Sequence, residues 1–214
     1  MKKLAFTLSA LCIAGAAFAQ TTFGIKAGPD FSSYREKSEL SKENGKIIVG
    51  ISGGVYASLP IAPKFFIQPS LMYEGKGGKG ANDTKVRLNY LTLPVDLLFK
   101  SKMPGGNGSW IVGAGAYIGY GLSGKISLGV NDSVSVFVFS SESNPFKKST
   151  FGEALLKRFD AGANVQLGYE MSSGFNIGLY SELGLINILR DGYDNDKLYN
   201  TSFSIMIGYT FGKY

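Results

Sequence analysis

Few side chains in this 214-residue chain could carry chemistry, and the missing types constrain it more than the ones present. There is no histidine, so the usual general base of neutral-pH hydrolysis is absent and a triad built on an imidazole is excluded. The one cysteine, Cys12, lies in an N-terminal apolar run that reads as removable, which takes disulfides, thiolate nucleophiles and cysteine metal sites away together. Asp194 and Asp196 have the spacing of an acid pair or of two calcium ligands, yet the run around them, RDGYDNDK, reads as a solvated loop. Two glycine-rich stretches are equally bland. GKGGKGANDT (75–84) has no Walker spacing and no helix after it, and the glycines of WIVGAGAYIGYGL (110–122) share one strand parity instead of opening a helix. No catalytic residue, cofactor or metal is therefore expected, and what is left is a set of polar side chains whose meaning depends on the elements that hold them.

The first such element is not part of the fold. Met1-Lys2-Lys3, the apolar run 4–16 and the A-x-A site Ala17-Phe18-Ala19 form a secretory signal peptide, which predicts a leader over 1–19 and one barrel domain over 20–214. Leu11 before Cys12 speaks against a lipoprotein anchor. Losing the leader removes Lys2 and Lys3 and no acid, so the formal charge of +6 falls to +4, too weak and too dispersed along the sequence to argue for nucleic acid. No later apolar run approaches the roughly 20 residues of a membrane helix, so any crossing is made by strands.

Residues 159–188 set the pattern for the rest. Phe159, Ala161, Ala163, Val165, Leu167, Tyr169 and Met171 alternate with Asp160, Gly162, Asn164, Gln166, Gly168 and Glu170, and after the turn Ser172-Ser173-Gly174 the period of two resumes through 175–188. Six more stretches behave likewise, over 22–31, 47–59, 64–76, 85–100, 110–122 and 199–211. Between them, 32–46 reads as a solvated loop, 60–63 and 101–109 as turns, and 75–84 as a flexible loop. In 123–158 a hairpin of 125–130 and 134–140 is expected outside the rim, with 152–159 as a helical turn or two. This predicts an all-β fold, an eight-stranded antiparallel transmembrane β-barrel wound as an up-and-down meander.

Connections one, three, five and seven are long and polar while two, four and six are short, which is the sorting of an outer-membrane barrel with surface loops and periplasmic turns. Phe23, Phe65, Phe99, Trp110, Phe175, Tyr209 and Phe211 lie near strand ends on the apolar parity, where interface aromatics at both edges of a lipid-facing band are expected. The polar parity would then face a lumen holding Lys26, Asp30, Glu74, Lys76, Asp96, Asp160, Gln166, Glu170 and Glu182 beside Tyr56, Phe66, Tyr90, Tyr117 and Tyr180. Charges away from water must pair, and an eight-stranded interior is only wide enough for side chains, so a packed lumen is expected rather than a pore.

YLTLPVDLLFK (90–100), KRFDAGANVQLGYEM (157–171) and YSELGLINI (180–188) resemble the strand motifs of the PorT-like outer-membrane β-barrel family, and GYTFGKY is similar to the terminal strand such proteins offer to the barrel-assembly machinery. The resemblance implies the outer membrane of a Gram-negative cell and a family in which a few members assist secretion. It carries over no functional residue, because the motifs are architectural. The expectation is a non-enzymatic barrel with outer-membrane lipid around it, the assembly machinery as a transient partner and a possible protein partner at surface loops 32–46 and 123–158. A small channel, a lipid-modifying enzyme and a secreted lipocalin-like barrel are the alternatives.

Overall fold

A strand with one apolar and one polar face is stable in a sheet only if each face meets a solvent of its own kind. The computed structural model, which describes residues 21–37, 42–80, 85–127, 156–189 and 196–212, shows how this chain meets that condition. Its strands are β1 (Thr22–Lys37), β2 (Lys42–Asn44), β3 (Ile48–Ala62), β4 (Phe65–Lys79), β5 (Lys85–Lys102), β6 (Gly108–Ser127), β7 (Phe159–Met171), β8 (Phe175–Gly184) and β9 (Lys197–Phe211). All neighbours are antiparallel in the order β2-β1-β3-β4-β5-β6-β7-β8-β9, and β9 returns to pair with β1. The short β2 continues the position of β3: β1 pairs with β3 as far as Ser32↔Ile48 and with β2 from Arg35↔Asn44. The result is a closed barrel of eight staves, and closure satisfies backbone groups that an open edge would leave unpaired.

The faces are inverted relative to a protein that folds in water. In β5, Val95 and Leu97 are 50% and 51% exposed on the outside, whereas Asp96 between them is 1% exposed inside. The same reversal holds for Val165, Leu179 and Ile205 against Gln166 and Glu182. From Trp110 to Tyr120, both outward on β6, is ten residues, which at about 3.3 Å per residue and a tilt of about 40° spans roughly 25 Å, the height of an outer-membrane apolar band.

Several expectations fail at the rim. The segment 32–46 is not simply a loop, because β1 continues to Lys37 and pairs with β2. The loop expected over 75–84 shrinks to 80–84, since β4 runs on to Lys79, and the third connection is therefore short. Gly77 permits this continuation with φ +144°; a side chain there would strike the Val86 carbonyl and Ile48. Lys125–Ser127, expected to start a separate hairpin, extends β6 against β5, while 128–155 lies outside the described residues. Leu156 forms a β-bridge to Leu189 where a helical turn was expected. β8 stops at Gly184 rather than at 188, because Asn187 Oδ1 takes the N–H of Leu189 (3.0 Å) and of Leu198 (2.9 Å) and turns the chain inward. At the opposite end β3 persists to Ala62 through a bulge after Pro60, so the turn reduces to Pro63 and Lys64.

Candidate functional site

The polar parity of every strand converges on one space, the lumen, and all nine residues expected there are buried: Lys26, Asp30, Glu74, Lys76, Asp96, Asp160, Gln166, Glu170 and Glu182. The carboxylates divide by length. The three glutamates meet lysines: Lys76 Nζ lies 2.5 Å from Glu182 Oε2 and 2.9 Å from Glu74 Oε2, and Lys100 Nζ lies 3.4 Å from Glu170 Oε2. The three shorter aspartates take neutral donors instead. Asp96 accepts from Asn164 and Gln166, each at 2.6 Å; Asp160 accepts from Asn200 at 2.8 Å and Tyr117 at 3.3 Å; Asp30 accepts from Ser204. Lys26 holds its ammonium 4.3 Å from the centroid of the Tyr180 ring and 5.7 Å from that of Tyr56.

Glycines decide which of these groups can meet. Asp96 on β5 stands opposite Gly115 on β6, which stands opposite Asn164 on β7, so the carboxylate crosses a strand that has no side chain there. A Cβ at Gly115 would collide with the Val95 carbonyl and the Asp96 carboxylate. Tyr56 on β3 crosses Gly24 on β1 in the same way to reach Thr210 on β9. That second crossing completes a file at the turn end, in which Asn176 donates to Tyr56 (3.0 Å), Tyr56 to Thr210 (2.8 Å), and Thr210 to Glu170 (2.8 Å). Sequence reading did not single out Lys100, Asn164, Asn176, Asn200, Ser204 or Thr210. Their parity was the available signal, but parity gives a face and not a partner two strands away.

Above Lys76, toward the loop end, the interior changes character. Leu88, Tyr90, Leu156 and Ile188 form an apolar cluster with Val86, Leu189 and Leu198 packed against it. A cleft of about 190 Å³ opens beside it, bordered by Tyr34, Glu36, Lys197 and Asn200. Among the described residues no cluster of acids, histidines and cysteines is arranged to hold a metal ion. Asp194, half of the candidate calcium pair, lies outside the described residues.

The seven aromatic residues expected at two edges all stand outward at one, the turn end. Phe23 faces Phe211 and Phe175 faces Tyr209 across strand pairs, and ring centroids lie 5.4 Å apart for Phe65 and Phe99, 5.3 Å for Trp110 and Tyr169 and 5.2 Å for Tyr209 and Phe211. The ring at the loop end is made by residues not singled out, Tyr73, Tyr120, Phe159 and Phe203, all outward and exposed. Only strand register places them at one height.

A family model described as the outer membrane protein beta-barrel domain matches residues 18–190. Among solved structures, Neisserial surface protein A is similar at 11% identity and TM-score 0.45, covering 90% of this chain and 97% of its own. OprG from Pseudomonas aeruginosa is similar at 16% and 0.44, covering 89% and 95%. Ail, the attachment invasion locus protein of Yersinia pestis, solved with the heparin analogue sucrose octasulfate, is similar at 15% and 0.42, covering 89% and 99%. No curated protein matches the chain.

Proposed function

The chain belongs to the outer membrane protein beta-barrel domain family, and from that premise we propose a non-enzymatic scaffold of the Gram-negative outer membrane, closed to solutes and presenting its connections to a partner at the cell surface. The observation that carries the closed lumen is the bonding across it, Lys76 to Glu182 and Asp96 to Asn164 and Gln166, together with two buried tyrosines, Tyr90 and Tyr117, and the half-buried Tyr180 that occupy the space between. In this reading 1–19 is cleaved on export, the nine lumen residues are structural, the aromatic residues anchor the band in lipid, and the partner meets 32–46 and 123–158. The PorT-like motifs make an accessory role in secretion or envelope maintenance the expected context, with the barrel-assembly machinery as a transient partner. The absence of histidine supports a non-enzyme.

The test is conductance of the refolded barrel in planar bilayers, where no steady steps are expected. A second reading, a narrow conduit, is favoured by the buried hydroxyls of Ser32, Ser52, Ser58 and Ser70, which have no hydrogen-bonding partner among the described residues and follow β1, β3 and β4 along the wall. Steady ion steps would install that reading in place of the first.

A further inference from the structure

The lumen holds more acid than base. Among the described residues, Asp30, Glu74, Asp96, Asp160, Glu170 and Glu182 are buried in it, against the buried Lys26 and Lys76 and the ammonium of Lys100 beside Glu170. Six acids against three lysines leave an excess of negative charge, and charge held away from water has to be balanced.

The three aspartates differ in how far their oxygens are occupied. Asp96 takes one amide on each oxygen, and Asp160 takes two donors on Oδ2. Asp30 takes only the Ser204 hydroxyl, on Oδ1, and its Oδ2 has no hydrogen-bonding partner among the described residues. Register then surrounds Asp30 with hydroxyls. On β9, Ser204 stands directly opposite it, and Ser202 stands one inward position further on, opposite Ser32. On β3 the position opposite Asp30 is Gly50, and Ser52 stands one inward position away, opposite Gly28. Diagonal neighbours in a sheet lie roughly 7–8 Å apart or less, so hydroxyls from three strands share the space in front of one carboxylate. Gly28 and Gly50 keep that space clear, since a Cβ would strike the Ile205 carbonyl at the first and the Gly75 carbonyl at the second.

Ser32 and Ser52 are both 0% exposed, and neither hydroxyl has a partner among the described residues. A water placed between them satisfies oxygens but leaves the charge as it is; a cation does both. The ligand set is oxygen only, with a single carboxylate, and so differs from the multi-acid clusters that hold divalent metals. Glu74 and Glu182, opposite Ser52 and Ser202, are already held by Lys76, whose ammonium opposes a second concentrated charge. The inward face of β1 continues from Ser32 to Tyr34 and Glu36, which border the loop-end cleft, so the site is reached from that mouth.

We infer that Asp30, with the hydroxyls of Ser32, Ser52, Ser202 and Ser204, binds a small hard monovalent cation of the sodium class in the wall of the lumen. The inference rests on the enclosed lumen of the reading above and adds a resident ion to it.

Full-length protein is folded into phosphatidylcholine vesicles, and its urea midpoint is measured at pH 8 in sodium chloride and in choline chloride of equal ionic strength. Wild type is expected to have the higher midpoint in sodium, because an ion held only by the folded state stabilises it. Asp30→Asn is expected to lose that difference, and Ser52→Ala to need about tenfold more sodium for the same shift. Ser58→Ala removes an equally buried hydroxyl at the turn end of β3, opposite Thr22, and is expected to keep the wild-type shift. Folding of each variant is read separately from heat-modifiable migration; if Asp30→Asn does not fold, Ser52→Ala against Ser58→Ala decides. Equal wild-type midpoints in sodium and choline overturn the inference, as does a sodium shift that Asp30→Asn retains or that Ser58→Ala loses as fully as Ser52→Ala. A larger shift with calcium chloride than with sodium chloride at equal ionic strength overturns the monovalent assignment. Steady sodium steps in planar bilayers would remove the closed-lumen reading itself, which the vesicle comparison does not touch.

Discussion

At the turn end the lumen is tied by one file, Asn176 to Tyr56 to Thr210 to Glu170, which ends on Lys100, while in the loop half Lys76 stands between two glutamates beneath an apolar cluster. Outside, the turn end carries a ring of paired aromatics, while at the loop end like charges stand opposite one another in register, Lys79 with Lys85 and Arg87 with Lys125. The difference teaches where each kind of force is affordable in this barrel. A file of hydrogen bonds closed by one ion pair, with ring contacts outside, suffices where turns are short and register is fixed locally. A cation shared by two carboxylates serves where distant segments must be held together, because Lys76 with Glu74 and Glu182 ties β4 to β8 across the lumen.

The largest effect is expected from breaking that tie. Lys76→Met leaves Glu74 and Glu182 buried without their cation and should cost about 3–5 kcal/mol, read as a lowered urea midpoint in detergent or vesicles. Adding Glu74→Gln and Glu182→Gln should recover much of the loss; if it does not, the charge is not what Lys76 contributes. Next comes the apolar band: Val95→Arg, midway between Leu91 and Phe99 on the outer face, should cost about 2–4 kcal/mol in vesicles, against about 0–1 for Leu122→Arg at the loop rim. Equal costs would mean the two positions do not differ in depth. In the turn half, Thr210→Val removes an acceptor from Tyr56 and a donor from Glu170 and should cost about 1–3 kcal/mol by the same measurement. A larger loss here than for Lys76→Met would reverse the comparison. The smallest effect is expected from Trp110→Leu, which keeps an apolar side chain but ends the contact with Tyr169, for about 0.5–1.5 kcal/mol.

How much of this was legible depended on distance from the water. β7 runs over the residues its alternation marks, Phe159–Met171, and the turn at 172–174 follows at once. At the loop rim the same method stopped short: β1, β4 and β6 all continue past the point where apolar residues cease to alternate. Beyond the hydrocarbon band both faces of a strand meet polar surroundings, so the period of two vanishes from composition while the hydrogen-bonded ladder goes on. The lumen residues were found as a face, since parity is local, but their partners were not. Asp96 reaches Asn164 because Gly115 stands between them, and no spacing within one strand contains that relation.

The sequence by itself determined that the chain alternates, which side chains share a face and that histidine chemistry is closed to it. Only the closed sheet decided which charges meet and which rings stand level. The physical reason is that alternation is fixed by neighbours in the chain, whereas register and closure are fixed by neighbours in space.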